Sequence, residues 1–94
     1  MNVYPLEVEQ ALATLPGVTD VAVFGLDDEA WGQRVCAAVV GRVTPADVAA
    51  FARARLAAYK RPKDVYVVPE IPRTTTGKVR RSRLGEELGR LAPE

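Results

Sequence analysis

Arg34-Val35-Cys36-Ala37-Ala38-Val39-Val40 is the stretch on which the fold turns. After its opening arginine, small and β-branched apolar residues follow without a polar interruption, and the run stops at Gly41-Arg42. A short apolar run closed by a turn-forming residue reads as a largely buried strand, here over residues 33–42. The chain's single cysteine, Cys36, lies inside it. Alone it cannot form an internal disulfide, and its apolar neighbours point to inert core packing.

Upstream, Val21, Val23 and Phe24 mark a second strand over residues 18–26, followed by the acidic turn Asp27-Asp28-Glu29. The connection is so short that the two strands are expected to pair antiparallel. Before them, Pro5 suits the first position of a helix, and Val8, Ala11, Leu12 and Leu15 recur at helical spacing. Glu7 and Glu9 suit the positive end of its dipole, and Pro16-Gly17 ends it.

Downstream, Thr44 before Pro45-Ala46-Asp47 predicts an N-cap. That helix is expected to run to about Ala58, with Val48, Ala52, Leu56 and Tyr59 as its core stripe. Pro62 stops it, residues 64–68 read as a third short strand, and Leu84, Leu88 and Leu91 line a terminal amphipathic helix. The sum is one α+β domain over residues 1–94, order αββαβα, with a small three-stranded mixed sheet and flanking helices.

Composition narrows the chemistry. The 94 residues contain no histidine, so the commonest general base and every histidine-dependent triad are excluded from this chain. No segment reaches the roughly 18 apolar residues of a membrane span, and no secretory signal pattern is visible, so the cytoplasm is expected. The net charge is +1, yet residues 1–52 hold two basic and seven acidic groups while residues 53–94 hold eleven and five. A positive C-terminal half suits an anionic partner, although neighbouring charges in the fold could also offset it.

That half contains Pro72-Arg73-Thr74-Thr75-Thr76-Gly77-Lys78. A phosphate-cradling P-loop would need glycine where Pro72 stands and a serine or threonine where Val79 stands, so the match fails. What remains is a flexible, hydroxyl-rich loop in which Gly77 eases the backbone just before Lys78, presenting one ammonium as a point charge.

Tyr59-Lys60-Arg61-Pro62, Ile71-Pro72-Arg73-Thr74, and Thr76-Gly77-Lys78-Val79 with Arg81 together resemble the C-terminal signature of the adenylate-forming enzymes, the AMP-binding acyl-CoA synthetases. Asn2-Val3-Tyr4-Pro5-Leu6-Glu7-Val8-Glu9 is similar to the start of that family's small C-terminal domain. Val21-Ala22-Val23-Phe24-Gly25 and Trp31-Gly32-Gln33 fall where the family has its two strands. Within the family, the likeness is greatest to bacterial aryl-CoA and short-acid CoA ligases of the 4-chlorobenzoate-CoA ligase type.

The resemblance implies the mobile C-terminal domain of an AMP-forming acid-CoA ligase, whose large N-terminal adenylation domain is expected to be absent from this chain. The full enzyme would join a carboxylate to ATP, giving acyl-adenylate and pyrophosphate, and CoA would then displace AMP. ATP, magnesium and CoA would serve the full enzyme, with no cofactor or metal held by this domain alone.

By the same resemblance, Lys78 matches the adenylation lysine, with Thr76 and Gly77 in its loop, and Trp31, Phe51 and Arg53 match positions near the nucleotide end of CoA. Phe51 also borders its helix's apolar stripe, about 200° from Arg53 at about 100° per residue, so a core role stays open. Tyr59 reads as core, and Arg55, Lys60 and Arg61 as solvated groups or general phosphate attractors. The expected partners are the large domain, ATP or acyl-adenylate, and CoA, with no membrane and no specific nucleic acid. Two alternatives stay open: a carrier-protein-loading adenylation enzyme, and a stand-alone basic module for phosphate or nucleic acid.

Overall fold

The computed structural model describes residues 4–28, 30 and 32–89. In it the apolar run forms the middle strand of a three-stranded sheet ordered β1-β2-β3. The elements are α1 (Pro5–Leu12), β1 (Val18–Asp28), β2 (Gly32–Gly41), α2 (Pro45–Arg55), a 3-10 turn (Ala58–Lys60), β3 (Asp64–Val67) and α3 (Arg81–Leu88). β1 pairs antiparallel with β2 from Val18 opposite Gly41 to Asp28 opposite Gly32. β3 pairs parallel with β2 from Cys36 opposite Asp64 to Val39 opposite Val67. A parallel neighbour needs a crossover connection, and α2 supplies it.

Side chains alternate between the two faces of a strand, and here both faces are covered. Val21, Val23, Ala37, Val39 and Val65 meet Val8 and Leu12 of α1 and Val48 and Ala52 of α2. On the other face Ala22, Phe24, Cys36, Ala38 and Tyr66 meet Ile71 and Leu84 and Leu88 of α3. This is why β2 reads as continuous apolar sequence: each of its central positions faces a helical layer. Each fully buried valine or leucine contributes about 1.5–3 kcal/mol. The close turns at the sheet's end are built on glycine. Arg42 N–H donates to the Gly17 carbonyl at 3.0 Å, and Gly41 sits at φ +145° where a Cβ would run into that same oxygen.

α2 begins as its sequence predicts. Thr44 Oγ1 accepts from the Asp47 N–H (3.1 Å) while Asp47 Oδ2 accepts from the Thr44 N–H (3.0 Å), a complete capping box. Its end differs from the expectation of Ala58. The helix stops at Arg55 because Leu56 turns extended (φ −121°, ψ 145°), which keeps its side chain in the core. Arg61 reaches back from beyond the helix, its Nε donating to the Leu56 carbonyl (2.9 Å) and its Nη2 to that of Arg53 (3.3 Å). Tyr59, expected in the core stripe, is instead 46% exposed in the 3-10 turn, with the Lys60 ammonium 5.5 Å from its ring centre.

Cys36 is fully buried. Burial, with the Asp64 carboxylate nearby, pushes its thiol up to about 11. Leu84 and Leu88 are buried as the stripe of α3, while Leu91 and Trp31 lie outside the described residues.

Candidate functional site

β1 is an outer strand, and an outer strand carries backbone groups with no strand beside them. Val23 turns both its N–H and its carbonyl toward that free side. Glu9 of α1 accepts the Val23 N–H at 2.7 Å, and Arg81 at the start of α3 donates through Nε to the Val23 carbonyl at 3.0 Å. Arg81 Nη2 closes the set on the same Glu9 oxygen at 2.8 Å. Glu9 is therefore a buried acceptor joining α1, β1 and α3, rather than a charge placed for the helix dipole. Glu7 pairs with Lys60 at 2.5 Å. Nothing local in the sequence distinguishes the two acids, which flank the apolar stripe of α1 on opposite sides.

With α3 fixed in this way, residues 72–80 form a closed hairpin. Arg80 N–H donates to the Pro72 carbonyl at 3.0 Å, Arg73 and Val79 form an antiparallel bridge, and Thr74 N–H donates to the Lys78 carbonyl at 2.8 Å. The Gly77 N–H returns to the Thr74 carbonyl at 2.9 Å, and Gly77 itself adopts φ +87°. That is a three-residue hairpin loop finished by a left-handed glycine. A flexible tract was expected from the threonine run, but the hydroxyls fasten the loop. Thr74 Oγ1 accepts the Lys78 N–H at 3.2 Å and lies 2.9 Å from Thr76 Oγ1.

Lys78 projects from this hairpin with an exposed side chain. Its ammonium makes no ion pair or hydrogen bond among the described residues. Three neighbouring cations are engaged. Arg73 pairs with Asp20 at 2.6 Å, Arg81 with Glu9 at 2.8 Å, and Arg83 with Glu87 at 2.8 Å. The hairpin thus offers a cation with its full charge available to an incoming anion, on a backbone held at both its N–H and its carbonyl.

Phe51 and Arg53, expected near CoA, lie away from this hairpin. Phe51 packs partly buried against the α1 and α2 side of the core, and the Arg55 guanidinium covers its ring at 4.7 Å from the centre. Val79, next to Lys78, packs on the α3 side, so the sheet separates Phe51 from the lysine hairpin. Arg53 is exposed on α2. Arg55, Lys60 and Arg61, expected as solvated cations or phosphate attractors, are committed to Phe51, Glu7 and backbone carbonyls respectively. Among the described residues, no three acidic, cysteine or histidine side chains gather where they could hold a metal, and no helix is long and apolar enough to cross a membrane.

The chain matches the family described as AMP-binding enzyme C-terminal domain over residues 7–78. It is 41% identical over 96 residues to the long-chain-fatty-acid–CoA ligase FadD13 of Mycobacterium tuberculosis, an alignment that takes in 99% of this chain and 19% of that protein. It is 42% identical over 93 residues to the indoleacetate–CoA ligase of Aromatoleum aromaticum, with 95% and 18% covered. Among solved structures, the Mycobacterium tuberculosis fatty acyl CoA synthetase superposes with a TM-score of 0.88 at 41% identity, covering 96% of this chain and 18% of that one. The chain therefore spans about a fifth of the length of the relatives it matches.

Proposed function

Because the chain belongs to the AMP-binding enzyme C-terminal domain family, we propose that it is the moving C-terminal domain of an AMP-forming acid–CoA ligase, working against a large adenylation domain. The observation that carries this reading is Lys78: an exposed, unpaired ammonium at the matched end of the family alignment, on a hairpin tied to the sheet and to α3.

In the first half-reaction a carboxylate oxygen attacks the α-phosphorus of ATP, the acyl–O–P bond forms, and pyrophosphate leaves with the electron pair of the broken P–O bond. Two anions must approach while charge builds on the phosphoryl oxygens. A cation already positioned in a site closed to water stabilises that arrangement far more than solvent does. Lys78 is assigned this role, with Thr76 and Gly77 shaping the hairpin that presents it. In the second half-reaction the CoA thiol, as thiolate, attacks the acyl carbon and AMP departs. Arg53, exposed on α2, and Phe51 beneath Arg55 lie on the other side of the sheet from Lys78 and are assigned to the nucleotide end of CoA, together with Trp31.

A rotation of the domain would exchange one working face for the other. The relatives named above are CoA ligases, which favours CoA over a carrier-protein thiol as acceptor. Magnesium that accompanies ATP is given no ligand in this chain, and the cytoplasm is the assigned compartment.

An assay of ATP–pyrophosphate exchange tests the reading. The longer protein carrying this domain should catalyse exchange that depends on a carboxylic acid, and the 94-residue chain alone should not. Exchange by the isolated chain, or none in the longer protein across aromatic, short and long-chain acids, would contradict it.

A further inference from the structure

The peptide joining Gly77 to Lys78 is gripped at both ends. Its N–H donates to Thr74 Oγ1 at 3.2 Å, and its carbonyl accepts from Arg73 Nη1 at 2.9 Å. The second arm of the same guanidinium, Nη2, donates to Asp20 Oδ1 of β1 at 2.6 Å. Asp20 is itself steadied by the Val21 N–H, which donates to Oδ1 at 2.9 Å.

This matters because the residue before the lysine is glycine at φ +87°, where a Cβ would meet nothing within 4 Å. Glycine itself, having no side chain, puts no steric check on that peptide plane turning over. Were it to turn, the N–Cα bond of Lys78 would be redirected and the ammonium at the end of its long stem would shift with it. The grip supplies the constraint the glycine lacks.

We propose that Arg73 is a positioning residue for Lys78, anchored on Asp20: it fixes the plane of the Gly77–Lys78 peptide and so the direction in which the lysine leaves the hairpin. The proposal rests on the reading of Lys78 as the adenylation cation. Arginine suits the task because its rigid fork serves two acceptors at once, a carbonyl and a carboxylate, where a lysine ammonium would act as a single point charge. The pair is not placed for stability. Arg73 and Asp20 side chains are 36% and 35% exposed, and exposed ion pairs add little to folding. Their geometry instead connects β1 to the one peptide that aims Lys78.

The test has two arms. In this chain, amide hydrogen exchange at Lys78 is compared among wild type, Arg73→Met, Arg73→Lys, Asp20→Ala and Asp20→Asn, with melting temperatures recorded alongside. Arg73→Met, Arg73→Lys and Asp20→Ala should speed exchange of that amide while leaving the melting temperature nearly unchanged. Asp20→Asn, which keeps an acceptor oxygen in place, should stay near wild type.

In the longer protein, Arg73→Met and Arg73→Lys should lower the rate constant of adenylate formation by about 10- to 100-fold, the scale on which misplacing a reacting group acts. KM for ATP and the rate of thioester formation from supplied adenylate should not change. Wild-type exchange and wild-type adenylate formation in Arg73→Met would overturn the proposal. A damaging Lys78→Ala beside a silent Arg73→Met removes the positioning role alone, whereas a silent Lys78→Ala removes the reading of Lys78 on which it rests.

Discussion

Replacing Glu9 by alanine should loosen the junction that holds α3, and with it the hairpin, against the sheet. Its side chain is 11% exposed, and one oxygen serves both the Val23 N–H at 2.7 Å and Arg81 Nη2 at 2.8 Å. With the carboxylate gone, the Val23 N–H has no partner on the free side of β1, and an unsatisfied buried donor costs about 1–3 kcal/mol. The arginine adds less, because its side chain is 39% exposed and can turn to water. A total of about 2–3 kcal/mol follows, to be set against the roughly 5–14 kcal/mol expected of a domain this size. For a chain of this length about 4–8 °C accompanies each kcal/mol, so the melting temperature should fall by roughly 8–24 °C. Thermal denaturation followed by circular dichroism measures this. Glu9→Gln, which keeps an acceptor for Val23 but loses the charge, should fall between wild type and alanine. A Glu9→Ala melting temperature within about 2 °C of wild type would show that the three-way junction does not contribute as its distances indicate.

Other consequences are as specific. Thr44→Ala removes one arm of the α2 capping box and should destabilise the domain by about 1 kcal/mol in a urea titration. Gly77→Ala places a Cβ in open space at φ +87°. Its effect should therefore be conformational, of about 1–2 kcal/mol at the hairpin, and seen as faster exchange of the Gly77 and Lys78 amides.

Cys36 should resist a thiol reagent at pH 8 in the folded chain and react fully in denaturant. Its thiol is raised from 9.0 to about 11 in the fold, so the unfolded chain loses that proton first as pH rises. Stability from this group should be level below about pH 9 and decline as pH climbs toward about 11. Cys36→Ala, which lacks the titration, should show a shallower decline over that range.

Much of the fold was legible because it depends on local pattern. The Val35 to Val40 run could only be accommodated between two helical layers, and Thr44-Pro45-Ala46-Asp47 carried a complete cap within four positions. What escaped depends on partners remote in the chain. α2 ends early because Leu56 turns extended, with Arg61 donating to its carbonyl from five positions on, and Tyr59 follows the changed direction into solvent. Glu9 meets Arg81 across 72 positions, and Asp20 meets Arg73 across 53; periodicity carries no information about such pairs. The motif singles out Lys78 but does not show the order of its hairpin, because a threonine run reads as polar linker until its hydroxyls and the left-handed glycine close the turn.

The claim that the domain delivers Lys78 to the adenylation step is tested most directly by separating the two half-reactions in the longer protein. With Lys78→Ala, single-turnover formation of acyl-adenylate from ATP and the acid should fall about 100- to 1000-fold, while thioester formation from supplied acyl-adenylate and CoA should hold near the wild-type rate. Equal loss in both steps would contradict the account and make Lys78 a structural residue of the hairpin.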